Sequence, residues 1–374
     1  MTPEAGGGEL DRRLNPALAG IKPYVPGLSV EEARRRLGRK SFVKMASNEN
    51  PLGIAPGAVR AIRRAVRRSF QYPEVEGHDL RLALAARLGL PEECLILGNG
   101  ADSVLYTLAL TLLAEADEVL IPELTYSYYE LLARAFRARI VRSAAREFRP
   151  DLEDLAARIT PASKLAFVCN PNNPTGAVIP RQELETFLDR LPDGVFAVVD
   201  EVYGDFCDPA LLPDTLSRIR DGRRNLIVVR SFSKAYGLAG VRLGYGAACA
   251  ELVERMHRMR PPFDVSVLAQ AAGLGALEDK RFFRRTQALA SRERERLSRR
   301  FAALGLACVP SYTNFLMVDT GSDARAVAEQ LLQRGFIVRA GLGPKLGSFV
   351  RITLGGRRQN ERLAAALAEI LRPQ

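Results

Sequence analysis

The 374-residue chain predicts an α/β fold, with a mainly parallel sheet covered by helices and a smaller α+β domain toward its end. Three observations predict it. From about residue 90, short apolar runs alternate with helical patterns. Those runs are apolar at successive positions rather than at every second one, as strands buried on both faces require. After about residue 250 the pattern changes to long helices followed by short strands. The length suits two packed domains better than a single core.

Taken in order, CLILG (94–98) leads into the helical pattern ADSVLYTLALTLL, and EVLIP (118–122) precedes YSYYELLARAF and then ARIVRSA. KLAFVCN (164–170), VFAVVDE (195–201) and NLIVVRS (225–231) are further strand-like runs, each closed by polar or glycine residues. ELVERMHRMR, the segment from Val265 to Glu278 and that from Arg281 to Leu304 read as long helices. TNFLMVD, FIVRA and FVRITLG read as short strands, with helices at 323–334 and 357–371. The expected division is an N-terminal arm (1–44), a large domain (45–265) and a small C-terminal domain (266–374).

Hydrophobic residues make up 47% and charged residues 26%, an ordinary composition for a soluble protein. No apolar stretch approaches bilayer length, and MTPEAGGGELDRR lacks the basic-then-apolar order of a signal peptide. A cytoplasmic protein is expected. Five cysteines are scattered without a CxxC pair, which reads as reduced core thiols. Two histidines leave little material for a histidine-based metal site. The formal charge of +11 raises nucleic acid as a partner. The arginines, however, are interleaved with acids, as in SRERERLSRR (291–300), a pattern of solvated, salt-bridged helix faces. No helix-turn-helix, zinc finger or aromatic RNA-binding strand accompanies them. Positive charge also suits a phosphorylated small molecule.

In an open α/β sheet, ligands sit beyond the carboxyl ends of the strands. Here those ends read GNGADS, PELTYSY, CNPNNPTG, DEVYGDF and RSFSKAYG. GNGADS fits an ordinary capped turn, or a helix start whose N–H groups at Ala101, Asp102 and Ser103 face an anion. Ser231, Ser233 and Arg242 can supply hydroxyls and a planar fork to one phosphate. Lys234 reads either as a solvent-facing lysine or as an amine forming an imine with an aldehyde. Pyridoxal phosphate combines that aldehyde with a phosphate. Asp200, buried by its strand, needs a cationic partner, and a protonated pyridine nitrogen fits. Tyr203 and Asn173 can bond a ring hydroxyl and favour its ionised oxygen. Tyr126 either stacks on a ring or belongs to the core. Arg339 and Arg351 lie in apolar strand patterns, where an arginine meets an anion or reaches solvent from an edge.

The order GNGADS, NPNNPTG, DEVY, SFSKAYGLAGVRLGY and VRITLG resembles the fold-type I pyridoxal-phosphate aminotransferases. IKPYVPG, MASNENPLG, QYPE, RPPFDVS, SYTNF and GFIVRA resemble their histidinol-phosphate branch, so the likeness runs from about residue 20 to 370. NPNNPTG together with SKAYGLAG is highly specific for the superfamily; the branch motifs are less so. The resemblance implies that Lys234 carries the cofactor and shuttles the proton, Asp200 pairs with the pyridine nitrogen, and Asn173 and Tyr203 contact the ring oxygen. It implies that Tyr126 stacks on the ring. Ala101, Asp102, Ser231, Ser233 and Arg242 would hold the phosphate, with Tyr72 reaching over from the second subunit of a homodimer. Arg339 and Arg351 would grip the substrate's anionic end, with Tyr24 and Asn314 lining the pocket and Asn48 nearby.

The reaction so implied is histidinol phosphate plus 2-oxoglutarate to imidazole acetol phosphate plus glutamate, in histidine biosynthesis. Aromatic amino-acid transamination is the alternative, followed by decarboxylation of a phosphorylated amino acid. Two positions depart from the common pattern. Ser103 stands where an acid is usual and Asp264 where asparagine is usual, neither at a position expected to bear on the core chemistry.

Overall fold

The computed structural model describes residues 13–23 and 26–371. Val43–Lys44 (β1) precedes the strands of the main sheet, which begin with β2 (Leu95–Gly98), β3 (Glu118–Pro122) and β4 (Arg139–Ser143). Past a small hairpin of β5 (Ala145–Arg146) and β6 (Arg149–Pro150), the sheet continues with β7 (Ser163–Cys169), β8 (Phe196–Asp200), β9 (Leu226–Ser231) and β10 (Gly244–Ala247). Toward the end of the chain come β11 (Phe315–Asp319), β12 (Phe336–Ile337) and β13 (Phe349–Thr353).

The main sheet has seven strands in the order β2-β10-β9-β8-β7-β3-β4. All pairings are parallel except those of β10, which runs antiparallel to both β2 and β9. Alternate residues of each strand feed two cores. Ile227 and Val229 pack with Leu108, Leu132 and Met256 on one face, while Leu226 and Val228 pack with Leu84, Leu184 and Leu216 on the other. Burial on both faces is what the continuous apolar runs encode.

β10 was not expected. GYGA holds two glycines in four residues and reads as a continuation of the loop before it. Their reason is close approach: a Cβ on Gly244 would lie 2.4 Å from the backbone nitrogen of Ala101, and one on Gly246 2.7 Å from Val104 Cγ1. The helix Ala101–Leu112 therefore lies directly on this strand.

The C-terminal part pairs β11 with β13 antiparallel and packs the helices Lys280–Ala302, Ala324–Gln333 and Arg357–Ile370 about them. FIVRA, expected as one strand, is in strand form only at Phe336–Ile337, which pairs parallel with β1. Arg339 lies past that strand, in an isolated bridge with Arg351. The β1–β12 pairing, with Thr353 N–H donating to Met45 O (2.8 Å), stitches the segment just ahead of Ser47 to the C-terminal part. The helix Val267–Glu278 packs on Pro56–Ala65 and His78–Leu88.

Candidate active site

Five apolar strands end in polar residues, and a cavity of about 660 Å³ receives those ends. Ala101 and Asp102 reach it from β2, Tyr126 from β3, Asn173 from β7, Asp200 and Tyr203 from β8, and Ser231, Ser233 and Lys234 from β9. Arg242, Asn48, Arg339 and Arg351 complete the wall. Two expected residues that the structure describes are not on it. Asn314 is buried behind Asn48, its Nδ2 donating to Asn48 O at 3.0 Å. Tyr72 is 81% exposed and stacks on Phe263, ring centroids 4.4 Å apart. Tyr24 lies outside the described residues.

Asp200 closes β8 and is buried. Tyr129 donates its hydroxyl to Asp200 Oδ2 at 2.6 Å, and the Val202 N–H donates to Oδ1 at 3.0 Å. Burial nevertheless pushes the carboxyl up to about 6, with these two donors acting against it. No ion pair to Asp200 is found among the described residues, so none of their side chains supplies the cationic partner that its burial calls for. Tyr129 is the residue that sequence reasoning missed. It is itself fully buried, stacked on Phe167 at 4.3 Å and 7°. The available signal was a buried acid in need of a donor.

Lys234 faces the same cavity. Its Nζ donates to Ser47 O at 3.3 Å and lies 5.8 Å from the centre of the Tyr203 ring. Burial first, and then the Arg351 charge, lower the amine to about 8. Half of it is therefore a neutral nucleophile near that pH. Tyr203 is held by Asn48, whose Nδ2 donates to the Tyr203 hydroxyl at 2.8 Å. Asn48 is fixed in turn by Thr353, which accepts from its N–H (2.9 Å) and donates to its Oδ1 (3.0 Å). The left-handed φ of 56° at Asn48 suits asparagine better than most residues.

The turn between β2 and the Ala101 helix has the form of an anion cradle. The helix has no side-chain cap, so its first N–H groups are open toward the cavity wall. Gly100 has φ 84°, and a Cβ there would lie 2.4 Å from Arg242 Nη2. Only glycine lets the guanidinium come so near the helix end. Tyr126 donates its hydroxyl to Asp102 Oδ1 at 3.2 Å, and Ser231 Oγ accepts from the Ser233 N–H at 3.0 Å. Across the cavity, Arg339 and Arg351 exchange backbone hydrogen bonds of 3.0 and 2.7 Å. Arg351 Nη1 donates to Asn173 Oδ1 (2.6 Å), Nη2 donates to Ala46 O (2.8 Å), and the guanidinium lies 5.3 Å from the Phe315 ring centre. Two guanidinium groups on adjacent segments of the wall are a donor set that can bind an anionic group.

A lysine amine of lowered pKa, a buried acid lacking a cation and an anion cradle make one constellation, and the model of the family "Aminotransferase class I and II" matches residues 40–367. The chain belongs to that family. Histidinol-phosphate aminotransferase of Moorella thermoacetica is 45% identical to this aminotransferase over 355 residues, covering 95% of this chain and 92% of the relative. The enzyme of the same name from Anaeromyxobacter sp. is 40% identical over 358 residues, 95% and 98% of the two chains. Among solved structures, histidinol-phosphate aminotransferase from Sinorhizobium meliloti in complex with pyridoxal 5'-phosphate superposes with a TM-score of 0.89 at 32% identity, covering 96% of this chain and 98% of that one. Thermus thermophilus aspartate aminotransferase with maleate gives 0.80 at 25%, covering 96% and 99%.

This aminotransferase therefore has the fold-type I architecture and is pyridoxal-phosphate-dependent. Its residues fit that group: Asp200 lacks a cation that a protonated ring nitrogen would provide, and the Gly100 cradle stands open where a Cβ would fill it. Among the described residues no helix is long and apolar enough to cross a membrane. Ser103 and Asp264 prove to be one feature. Ser103 Oγ donates to Asp264 Oδ2 at 2.7 Å.

Proposed function

We propose that this protein transfers the amino group of histidinol phosphate to 2-oxoglutarate, giving imidazole acetol phosphate and glutamate in histidine biosynthesis. The observation that carries this reading is the pair Arg339 and Arg351 on the wall that Lys234 also faces. Two guanidinium groups suit a dianionic phosphate, and the relatives that bear the histidinol-phosphate name match nearly the whole chain.

When bound, the cofactor supplies an aldehyde that takes up the substrate amine and a protonated ring that withdraws electrons from the amine-bearing carbon. The protein's residues do the rest. Arg339 and Arg351 bind the anionic end and so fix which carbon faces Lys234. Lys234 Nζ, whose charge burial and Arg351 disfavour, would in its neutral form take the proton from that carbon and deliver it to the carbon that was the cofactor's aldehyde. Asp200 would hold the proton on the ring nitrogen, its ionised carboxylate favoured by the Tyr129 hydroxyl and the Val202 N–H. Tyr203 and Asn173 would meet the ring oxygen, and Tyr126 the ring. Ala101, Asp102, Ser231, Ser233 and Arg242 would hold the phosphate.

We also infer a cytoplasmic homodimer in which Tyr72 reaches the partner's site. Supporting this, Phe70 and Tyr72 are 84% and 81% exposed and adjoin the Tyr72–Phe263 stack, an apolar patch of the kind that marks protein contacts. Asn48, on the wall, acts by holding Tyr203, and Asn314 acts from behind it by holding Asn48.

The test compares kcat/KM for histidinol phosphate and phenylalanine with 2-oxoglutarate as acceptor. A preference for histidinol phosphate of about 100-fold is expected from two charge-assisted contacts. A preference for phenylalanine would refute the substrate and leave the enzyme class standing.

A further inference from the structure

The segment Arg260–Ser266 has no part in the chemistry above, yet it grips the phosphate-holding turn. One oxygen, Asp264 Oδ2, accepts from the Asn99 N–H at 3.0 Å and from Ser103 Oγ at 2.7 Å. Those donors flank Gly100, Ala101 and Asp102, the residues that shape the cradle. The hold continues on both sides. Arg260 Nη1 donates to Leu97 O at 3.3 Å and its Nη2 to Val75 O. Phe263, at φ 59°, stacks on Tyr72. Gln270 Nε2 donates to Glu74 O (2.8 Å) and Val265 O (3.1 Å).

We propose that Asp264 is a positioning residue for the cofactor phosphate, fixing the Asn99–Ser103 turn so that its N–H groups converge on one anion. This rests on the reading that the turn and Arg242 hold that phosphate. Coulomb's law alone points the other way, because a carboxylate near an anion site repels the ligand. The sign of the effect of removing Asp264 therefore decides between positioning and simple charge.

The bond also ties the choice of residue at one position to that at the other. An acid at 103 facing an acid at 264 would set two carboxylates against each other, whereas serine there turns its hydroxyl to the carboxylate. Specificity for the arrangement lies in the pair, not in either position.

The experiment titrates the apoprotein with pyridoxal phosphate and, separately, with pyridoxal, which lacks the phosphate, and records apoprotein melting. Asp264→Ala loses both accepted bonds and should bind pyridoxal phosphate about tenfold more weakly, with pyridoxal affinity and melting temperature little changed. Asp264→Asn keeps an acceptor oxygen and should stay within about threefold of the parent. Ser103→Asp alone should behave like Asp264→Ala, and adding Asp264→Asn to it should restore affinity. Unchanged or tighter pyridoxal phosphate binding by Asp264→Ala overturns the proposal, as does an equal loss for both ligands together with a lowered melting temperature. Arg242→Ala serves as reference. If it leaves the ratio of the two affinities intact, the phosphate is held elsewhere and both readings fall; if it lowers the ratio and Asp264→Ala does not, only the role of Asp264 falls.

Discussion

Tyr129→Phe removes one hydrogen bond and little else. The phenyl ring keeps the stack on Phe167 at 4.3 Å, so the core is preserved. The lost bond, from the Tyr129 hydroxyl to Asp200 Oδ2 at 2.6 Å, is to a charged acceptor and is worth about 1.5–3 kcal/mol. At 1.36 kcal/mol per pKa unit, the Asp200 carboxyl should rise by about 1–2 units from its value of about 6. Asp200 is mostly ionised at pH 7 in the parent; in the variant it would be mostly protonated. The cofactor's ring nitrogen then meets a neutral acid. The assay is the dissociation constant of pyridoxal phosphate from pH 5 to 9. In the variant, the acidic limb where affinity declines should move up by about 1–2 units. An acidic limb that stays in place would show that Tyr129 does not govern the ionisation of Asp200.

Other outcomes follow from the same wall. Because the folded-state pKa of Asp200 is raised from 3.8 to about 6, its ionisation costs the apoprotein on the order of 3 kcal/mol; Asp200→Asn should stabilise the apoprotein above pH 6, and the gain should vanish as pH falls to about 4, measured by urea unfolding. Lys234→Ala should abolish turnover while leaving the apoprotein melting temperature equal or higher, since a half-buried amine lowered to about 8 is a cost to the fold; steady-state transamination at the parental rate would refute the assignment. Gly244→Ala sets a Cβ 2.4 Å from the Ala101 nitrogen and should destabilise by about 1–3 kcal/mol, seen as a lower melting temperature; an unchanged one would refute the close-packing argument.

The strands that bring chemistry to the cavity were legible because each is an apolar run broken abruptly by polar residues, and burial on two faces leaves no other pattern. Lys234, Asp200 and Arg351 stood out for the converse reason, as charges where the run predicts none. β10 was not legible, since its two glycines serve the neighbouring helix rather than the strand. Tyr129 was hidden among tyrosines at 126, 128 and 129, and only the direction in which the helix leaves β3 selects the one that meets Asp200. The Ser103–Asp264 bond joins residues 161 positions apart. Each was visible as an oddity, but their partnership is a product of the fold.

The pairing of Val43 with Phe336 and of Lys44 with Ile337 has a consequence for the order of synthesis. Ser47 and Asn48 leave the ribosome early, but the strand that anchors them is made almost 300 residues later, and Thr353, which holds Asn48, later still. Lys234 and Asp200 emerge in between, on a sheet whose strands are complete once Ala247 is out. A nascent chain can thus fold the floor of its site long before it has the wall opposite Lys234. Of the residues that line the cavity, Arg351 is the last to be made.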